Sequence, residues 1–255
     1  MKKLFKFLLN RIPRPVLINL SIFFRPFIYL FFKGSRFTDP IDGRSYRKFL
    51  PYGYGTQREN ALSPGTLSLE RHRQMWLYLQ NETDFFSKKY KVLHIAPEQE
   101  FLRRFRKMKN LDYTSADLFS PIVDVKADIL DLPFDDESFD VVFCNHVLEH
   151  IQDDKKAMSE LYRVLKSGGW GILQVPMKNS LPETYEDFSV TDPKERQRLF
   201  GQYDHVRWYG MDYFARLESV GFRVDVNFYS RTFSEAERKK YGLMENEILP
   251  VVYKK

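Results

Sequence analysis

The stretch KVLHIAPEQEF, residues 91–101, predicts a strand, a tight turn and a helix in immediate succession. The apolar run Val92–Ile95 is typical of a buried strand, and a polar helix is predicted from Gln99 to Lys107. In a nucleotide-binding α/β domain, the turn between such elements is usually rich in glycine, which lets a ligand approach the backbone closely. Residues 96–98 read Ala-Pro-Glu instead. The stretch therefore predicts the start of a Rossmann-like domain with an altered ligand loop.

Strands and helices alternate along the chain from residue 90 onward. Strands are predicted at 91–95, 111–116, 123–127, 139–144, 170–175, 222–229 and 248–254, and helices at 154–166 and 211–219. The glycine pair at 168–169 is expected to end the first of these helices. This alternation is typical of a parallel sheet that is covered by helices on both faces. We therefore predict an α/β fold.

Composition places the chain among ordinary globular proteins, with 255 residues of which 43% are apolar and 29% charged. The single cysteine, Cys144, excludes an internal disulfide and a thiolate zinc cluster. Because Cys144 lies in a predicted apolar strand, we expect a buried, reduced and inert thiol. A chain without disulfides is typical of the cytoplasm, which is the predicted compartment.

Basic residues concentrate in the N-terminal part of the chain. Residues 1–80 carry 14 Lys and Arg against four Asp and Glu, whereas the remainder carries 26 against 30. This asymmetry favours an anionic partner, which could be a membrane surface, a phosphorylated substrate or nucleic acid, over a merely solvated basic face.

Residues 1–32 are both apolar and basic, but Arg25 and Pro26 interrupt the longest apolar run before it could span a bilayer. The segment lacks the pattern of a signal peptide. Two amphipathic pieces could lie on the cytoplasmic face of a membrane or pack on the protein itself. We expect the membrane contact.

Polar residues follow the predicted strands in a fixed order. Asp117 ends the second strand, where a carboxylate can accept hydrogen bonds from a ribose diol. Asp128 and Ile129 follow the third strand, and Asn145 and His146 end the fourth. The carboxyl ends of parallel strands meet at one edge of the sheet, so these residues are predicted to share a ligand site.

Together with LPFDDESFDVVFCNHVLEHIQDDKKAMSELYRVLKSGGWGILQVP, residues 132–176, this ordered set resembles the class I S-adenosylmethionine-dependent methyltransferases. The similarity is to the small-molecule group with an LPF-DESFD-V-LEH signature, and it covers about residues 90–175. It implies a seven-stranded Rossmann-like sheet with helices on both faces. It also implies S-adenosylmethionine as the cofactor.

The same resemblance implies roles for individual residues. Asp117, followed by Leu118, would bind the ribose, Asp128 would receive the adenine amino group, and Ile129 would flank the ring. The remaining implied cofactor residues are those of the first loop, which would hold the methionine portion, and those at the methyl-transfer centre: His94, Ala96, Glu98, Asn145 and His146.

The first loop departs from the family pattern of an acidic residue followed by Gly-x-Gly. S-adenosylmethionine has no pyrophosphate, so the loop needs close backbone approach rather than a phosphate cradle. Ala96 has the smallest side chain after glycine, and Glu98 can supply negative charge for the ammonium and sulfonium groups. We therefore expect the cofactor to bind.

A second resemblance lies N-terminal to the sheet. FTDPIDGRSYRKFLPYG (37–53) and RENALSPGTLSLERHR (58–73) are similar to a zinc-ribbon-like module that precedes some of these methyltransferases. The positions of its two Cys-x-x-Cys pairs hold Asp39, Asp42, Ser63 and Thr66. Zinc prefers thiolate and imidazole ligands, so we expect no structural zinc here. The chain is predicted to divide into a basic apolar N-terminal segment (1–35), this degenerate zinc-ribbon-like module with the helix that follows it (36–82), and the domain that resembles class I methyltransferases (83–255).

The acceptor is expected to meet the long connection 185–210, YEDFSVTDPKERQRLFGQYDHVRWYG. Its predicted substrate-facing residues are Tyr185, Asp187, Asp204, His205 and Arg207. His205 and His146 are the candidate general bases. The five histidines are scattered along the sequence, and no metal site is predicted.

The predicted function is methyl transfer from S-adenosylmethionine to a small, sugar-linked or lipid-linked acceptor. The alternatives are an RNA methyltransferase that uses the basic N-terminal region and a non-catalytic scaffold with a degenerate cofactor loop. Nucleic acid is the less expected partner, because the sequence has neither a known RNA-binding motif nor an N-P-P-Y-type signature after the fourth strand.

Overall fold

A computed structural model describes residues 27–53 and 57–255. Two small antiparallel hairpins and a helix precede the main sheet: β1 Lys33–Asp39 with β2 Arg44–Tyr46, β3 Leu50–Tyr52 with β4 Arg58–Leu62, and helix α1 Glu70–Asn81. Most of the predicted membrane segment, residues 1–26, lies outside the described residues. Over the described ranges, no helix is both long and apolar enough to cross a bilayer.

The rest of the chain builds a seven-stranded sheet. In chain order its elements are β5 Tyr90–Ile95, α2 Gln99–Phe105, β6 Leu111–Asp117, β7 Val125–Lys126, β8 Phe139–Cys144, α3 Asp154–Val164, β9 Leu165–Ile172, β10 Tyr185–Glu186, α4 Pro193–Phe200, β11 Arg207–Trp208, α5 Tyr213–Ser219, β12 Arg223–Asn227, α6 Glu235–Tyr241 and β13 Leu249–Tyr253. Three-residue and four-residue 3₁₀ helices lie at Leu148–His150 and Tyr229–Thr232.

Strand order in the sheet is β12-β13-β9-β8-β5-β6-β7. β13 is antiparallel to both of its neighbours, and the other six strands run in the same direction as one another. The chain moves from β5 outward to β7 and then returns to place β8 on the other side of β5. The carboxyl ends of β5 and β8 therefore flank the switch point where open α/β sheets bind ligands. The predicted Rossmann-like fold is confirmed.

Three predicted boundaries are wrong. The third strand has two residues, not the five predicted at 123–127. Helix α3 ends at Val164, and β9 begins at once and ends at Ile172, so residues 168–169 lie inside a strand rather than beyond a helix. Gly169 has a physical reason to be there, because a Cβ would lie 2.9 Å from the carbonyl oxygen of Asp140 in the neighbouring strand. Residues 185–210 contain helix α4 rather than a long loop.

Apolar side chains cover both faces of the sheet. One face packs on α3 and α5 through residues such as Leu161 and Leu217. The other face packs on α1 and α2 and is rich in aromatic rings, including Phe101 and Phe143. Cys144 is buried as predicted, and burial raises its pKa well above the usual value. Helix α1, which was assigned to the N-terminal module, thus packs in the core of the sheet.

Three of the four positions where the zinc-ribbon-like pattern has cysteines, Asp39, Asp42 and Thr66, make side-chain hydrogen bonds. Asp39 is fully buried, and its Oδ2 accepts hydrogen bonds from the hydroxyls of Thr66 and Ser68. Its Oδ1 accepts a hydrogen bond of 3.0 Å from the backbone of Ile41. The carboxylate of Asp42 accepts a hydrogen bond of 2.7 Å from the hydroxyl of Tyr46. The buried carboxylate of Asp39 thus joins the segment before β2 to the segment after β4.

We expect Asp39→Ala to lower the free energy of unfolding by about 2 kcal/mol, because it removes a charged acceptor and leaves buried donors unpaired. Urea unfolding followed by tryptophan fluorescence would measure this loss. Asp112→Ala, which removes an exposed carboxylate from β6, is the control and should change stability by less than about 0.5 kcal/mol. Equal stability of the two variants would contradict a supporting role for Asp39.

Candidate functional site

The loop after β5 has the backbone shape that a glycine would normally supply. Ala96 has a φ of +45°, in the left-handed region, and its N–H donates to the carbonyl of Ala116 at 2.7 Å. Such a conformation costs a non-glycine residue about 1–2 kcal/mol. Glu98 then forms the N-cap of α2. The loop therefore keeps a tight turn at the carboxyl end of β5 without glycine.

Glu98 and His94, both predicted to bind the cofactor, contact each other directly. His94 Nε2 lies 2.9 Å from Glu98 Oε2, and His94 Nδ1 lies 2.9 Å from the hydroxyl of Tyr113. His72 Nε2 lies 3.9 Å from the other oxygen of Glu98. Burial would raise the pKa of Glu98, but the hydrogen bond from His94 and the charges of His94 and His72 outweigh it and hold the pKa at about 2. Glu98 is therefore ionised.

The lowered pKa of Glu98, which pairs with His94, makes the stability of the protein depend on pH in the acidic range. Because the pKa of Glu98 falls from 4.5 to about 2 on folding, its contribution is fully present above pH 4.5 and is lost as the pH falls towards 2. We expect the wild-type protein to lose more stability than Glu98→Gln between pH 6 and pH 3 in urea unfolding. Glu82→Gln, an exposed carboxylate, is the control. Parallel pH profiles for wild type and Glu98→Gln would show that the pair makes no contribution.

The two aspartates at the ends of β6 and β7 are held by backbone hydrogen bonds. Asp117 Oδ1 accepts from the N–H groups of Phe119 and Ser120 at 2.7 and 2.6 Å. Asp128 Oδ1 accepts from the N–H of Leu130 at 2.9 Å. The N–H of residue 127 donates to the carbonyl of Asp117 at 3.2 Å, so the two loops lie side by side. In both aspartates these backbone bonds go to Oδ1.

The residues beside the two aspartates differ in exposure. Ile129 is buried in the core of the sheet, whereas Leu118 is exposed.

Asn145 and His146 end β8 at the switch point. Asn145 is buried, donates to the sulfur of Met75 at 3.4 Å and accepts from the N–H of Gln174 at 3.3 Å. His146 has a φ of +55°, and its N–H donates to the carbonyl of Gln174 at 2.7 Å. Its Nε2 is buried and has no hydrogen-bond partner among residues 27–53 and 57–255. Burial and then the charge of Arg71 lower the pKa of His146 to about 4, although the nearby carboxylate of Glu149 acts in the opposite direction.

A cavity of about 500 Å³ opens beside His146. Three regions of the chain line it: Arg58, Glu70 and Arg71; Val175, Pro176, Met177, Asn179 and Trp208; and Met244, Asn246, Glu247 and Ile248. The guanidinium of Arg58 donates two hydrogen bonds, of 2.9 and 3.2 Å, to the carboxylate of Glu70. In contrast, Nε of Arg71 is buried and lacks a hydrogen-bond partner within the described part of the chain. The cavity thus joins a neutral imidazole, a guanidinium with one buried nitrogen that lacks a partner among the described residues, and an apolar wall.

The residues predicted from the connection 185–210 do not line this cavity; Trp208 of the same connection does. The prediction that Arg207 faces a substrate is wrong: its side chain is 0% exposed. It donates to the carbonyls of Leu148, Ile151 and Gln152 at 3.2, 2.7 and 2.8 Å. Arg207 therefore ties the connection to the turn after β8.

The other four residues of that prediction occupy different surroundings. Tyr185 is exposed and contacts the ring of Phe200. Asp187 is on the surface and accepts from the backbone and hydroxyl of Ser189. His205 is buried, with Nδ1 3.1 Å from the carbonyl of Phe200, and the carbonyl of Asp204 lies 3.3 Å from Nδ1 of His150.

Three residues of these sites were not predicted from the sequence: Arg71, Glu247 and Glu149. The histidines are scattered in the sequence but three of them lie close together in the fold, because His146, His150 and His205 all approach Glu149. The spacing His-x-x-Glu-His in residues 146–150 was the available signal, since it places several titratable groups on one turn at the carboxyl end of a strand.

Comparisons with known proteins found a matching family model and relatives that match part of the chain. The family model described as "Methyltransferase domain" matches residues 78–173. An uncharacterized protein of Methanocaldococcus jannaschii is 46% identical over 66 residues, which cover 25% of this chain and 29% of that protein. The demethylmenaquinone methyltransferase of Clavibacter sepedonicus is 51% identical over 45 residues, 18% of each chain. The chain thus spans less than a third of the length of either relative.

Among solved structures, a SAM-dependent methyltransferase from Archaeoglobus fulgidus is similar over 70% of this chain and 92% of its own, with a TM-score of 0.48 and 19% identity.

Proposed function

We propose that this chain, in which residues 78–173 form a class I S-adenosylmethionine-dependent methyltransferase domain, transfers the sulfonium methyl group of that cofactor to a small anionic acceptor. The observation that best supports this proposal is the row of polar groups along the carboxyl edge of β5, β6, β7 and β8. A cavity opens at the end of this row, beside His146. Methyl transfer from a sulfonium needs chiefly orientation of the two reactants. A cofactor site along this edge, with an open cavity beside it for the acceptor, can supply that orientation.

The residues at the edge fit the cofactor. Asp117 would hold the ribose through Oδ2, since Oδ1 is engaged by two backbone N–H groups. Asp128 would receive the adenine amino group in the same way, with Ile129 against the ring. Ala96 lets the loop pass close to the methionine portion, and the ionised Glu98 provides negative charge near the ammonium group. When bound, the cofactor supplies the activated methyl group.

His146 is the better candidate for a general base. Its Nε2 is unsatisfied and its side chain lines the cavity, so it can accept a proton from an acceptor hydroxyl or amine. His205, the other predicted base, does not line the cavity. Asn145 would keep the end of β8 in place by its bonds to Met75 and Gln174.

Arg71 points to the chemistry of the acceptor. A buried guanidinium nitrogen without a partner is costly, and an anionic group in the cavity would satisfy it. A carboxylate or phosphate oxygen can accept a hydrogen bond from this nitrogen. The apolar wall of Val175, Met177 and Trp208 would contact the remainder of the acceptor.

The test is incubation of fractionated cell extract with the protein and isotopically labelled methyl donor, followed by mass spectrometry of labelled products. We expect a labelled small anionic compound, and Arg71→Ala should raise the KM for it without changing cofactor affinity. Lys107→Ala, an exposed cation, is the control. Label appearing only in RNA, with salt-dependent RNA binding, would favour the RNA methyltransferase instead.

We also propose that residues 1–32 attach the protein peripherally to an anionic membrane. The described end of this segment supports it, because Phe27, Leu30 and Phe31 are 56%, 72% and 70% exposed. Six basic residues accompany them in the sequence, and each contributes about 1 kcal/mol near an anionic surface. Such attachment would bring the cavity to a lipid-linked acceptor.

Vesicle flotation tests the attachment in the full-length chain. We expect binding to anionic vesicles at low salt and a clear loss in the double variant Leu30→Glu, Phe31→Glu. Phe119→Glu, which alters a ring 87% exposed at another site, is the control. Wild-type protein that stays unbound at low salt would contradict membrane attachment.

A further inference from the structure

Glu149 is a buried carboxylate whose two oxygens lack hydrogen bonds. It lies in the 3₁₀ helix that follows β8, and its residue is 1% exposed. Neither Oε1 nor Oε2 has a hydrogen-bond partner among the residues that the structure describes. An ionised carboxylate taken out of water is strongly destabilising unless a positive charge compensates it. The surroundings of Glu149 should therefore show what carries that charge.

Three histidines surround this carboxylate. His146 Nδ1 lies 3.3 Å from Glu149 Oε1, His205 Nε2 lies 3.9 Å from it and His150 Nε2 lies 4.0 Å from it. The rings of His150 and His205 are 4.7 Å apart between centroids. The last two nitrogen distances are too long for hydrogen bonds. They leave a space between the imidazoles and the carboxylate.

In His150 and His205, hydrogen bonds place the ring proton on Nδ1, the nitrogen that faces away from Glu149. His205 Nδ1 lies 3.1 Å from the carbonyl of Phe200, and His150 Nδ1 lies 3.3 Å from the carbonyl of Asp204. A carbonyl can only accept, so each Nδ1 carries the proton and each neutral ring turns the lone pair of Nε2 towards Glu149. Two lone pairs and a carboxylate oxygen repel one another unless a cation lies between them.

Metal-binding histidines usually have this arrangement, with the outer nitrogen donating to a carbonyl or carboxylate. We propose that Glu149, His150 and His205 bind one divalent transition-metal cation. One ligand atom from each residue lies within 4.8 Å of the others. Zinc bonds of about 2.0–2.1 Å in a tetrahedron would separate ligand atoms by about 3.4 Å, so the ligand atoms need to approach one another by about 0.5 to 1.4 Å.

Two histidines and one glutamate are a ligand set that suits Zn²⁺ and leaves a further position open. The cation joins the turn after β8 to the connection that carries His205, across 55 residues of sequence. Because Glu149 also contacts His146, the same cation fixes the imidazole at the rim of the cavity. Binding of the metal requires no methyl donor and does not depend on the proposed function.

The experiment uses full-length protein purified without a histidine tag and stripped with a chelator. We expect titration with ZnCl₂ to show one tight site per chain, and Co²⁺ to give the visible absorption of a low-coordinate site. Glu149→Gln and His205→Gln should each weaken Zn²⁺ binding by at least about 100-fold, because loss of a ligand should cost at least as much as loss of an outer-shell partner. His72→Gln, another buried histidine near two carboxylates, is the control and should bind zinc normally.

Circular dichroism of the metal-free variants identifies any that fail to fold, and His205→Gln then carries the test if Glu149→Gln is unfolded. No zinc binding by folded wild-type protein would overturn the proposal, since a shared proton or an internal water would then occupy the space. Equal zinc affinity in wild type and both ligand variants would also overturn it, because the ion would lie elsewhere.

Discussion

Asp117→Ala is expected to weaken binding of S-adenosylmethionine and of its demethylated product by at least about 100-fold. A carboxylate that accepts hydrogen bonds from both ribose hydroxyls makes two charge-assisted bonds of about 1.5–3 kcal/mol each, and each 1.4 kcal/mol is tenfold in affinity. Asp117 is half-buried at the end of β6, and two backbone N–H groups hold its Oδ1. Isothermal titration calorimetry on the wild type and the variant measures the difference.

Asp112→Ala is the matched control, because Asp112 lies at the opposite end of β6 and is exposed. We expect it to bind the cofactor like the wild type. Two outcomes separate the competing interpretations. No binding by folded wild-type protein would favour the non-catalytic scaffold, whereas undiminished binding by Asp117→Ala would leave the enzyme intact and place the ribose elsewhere.

The central sheet could be predicted from the sequence because its signals are local. The central strands β5 and β8 contain short apolar runs, and polar residues lie at or just after the ends of strands, as Asp117 and Asn145 do. The backbone of the first loop could not be predicted in the same way. Ala96 adopts a positive φ because its N–H bonds to the carbonyl of Ala116 on the neighbouring strand, a contact that depends on strand pairing.

Long-range contacts explain most of what sequence analysis got wrong. Arg207 has the composition of a substrate-binding residue, yet it is surrounded by carbonyls that lie more than 50 residues away in sequence. Likewise, Glu149 and His205 lie 56 positions apart, and only the folded chain shows that they meet. Helix α3 ends before the glycine pair because its last turn continues directly into β9.

Arg73→Ala is expected to lower the free energy of unfolding by about 3–5 kcal/mol, the range seen when a buried, hydrogen-bonded charge network is broken. Arg73 is fully buried on α1 and donates to the carbonyls of Ala61 and Ser68 at 3.0 and 2.7 Å. It also donates to the carbonyls of Tyr241 and Gly242 at 2.6 and 2.7 Å. The guanidinium thus joins β4 and the segment before α1 to the end of α6.

Burial lowers the pKa of Arg73 to about 10, so the side chain stays charged at neutral pH. Its removal leaves four carbonyls without their donor and opens a gap against the ring of Phe49, 4.6 Å from the guanidinium carbon. Arg73→Lys keeps the charge, but its donors all lie on one nitrogen, so we expect most of the loss to remain. Arg47→Ala removes an exposed arginine and should change stability by less than about 0.5 kcal/mol. Urea unfolding of the three variants measures these losses of stability. If Arg73→Ala lowers the free energy of unfolding no more than Arg47→Ala does, the contact between β4 and the end of α6 does not depend on Arg73.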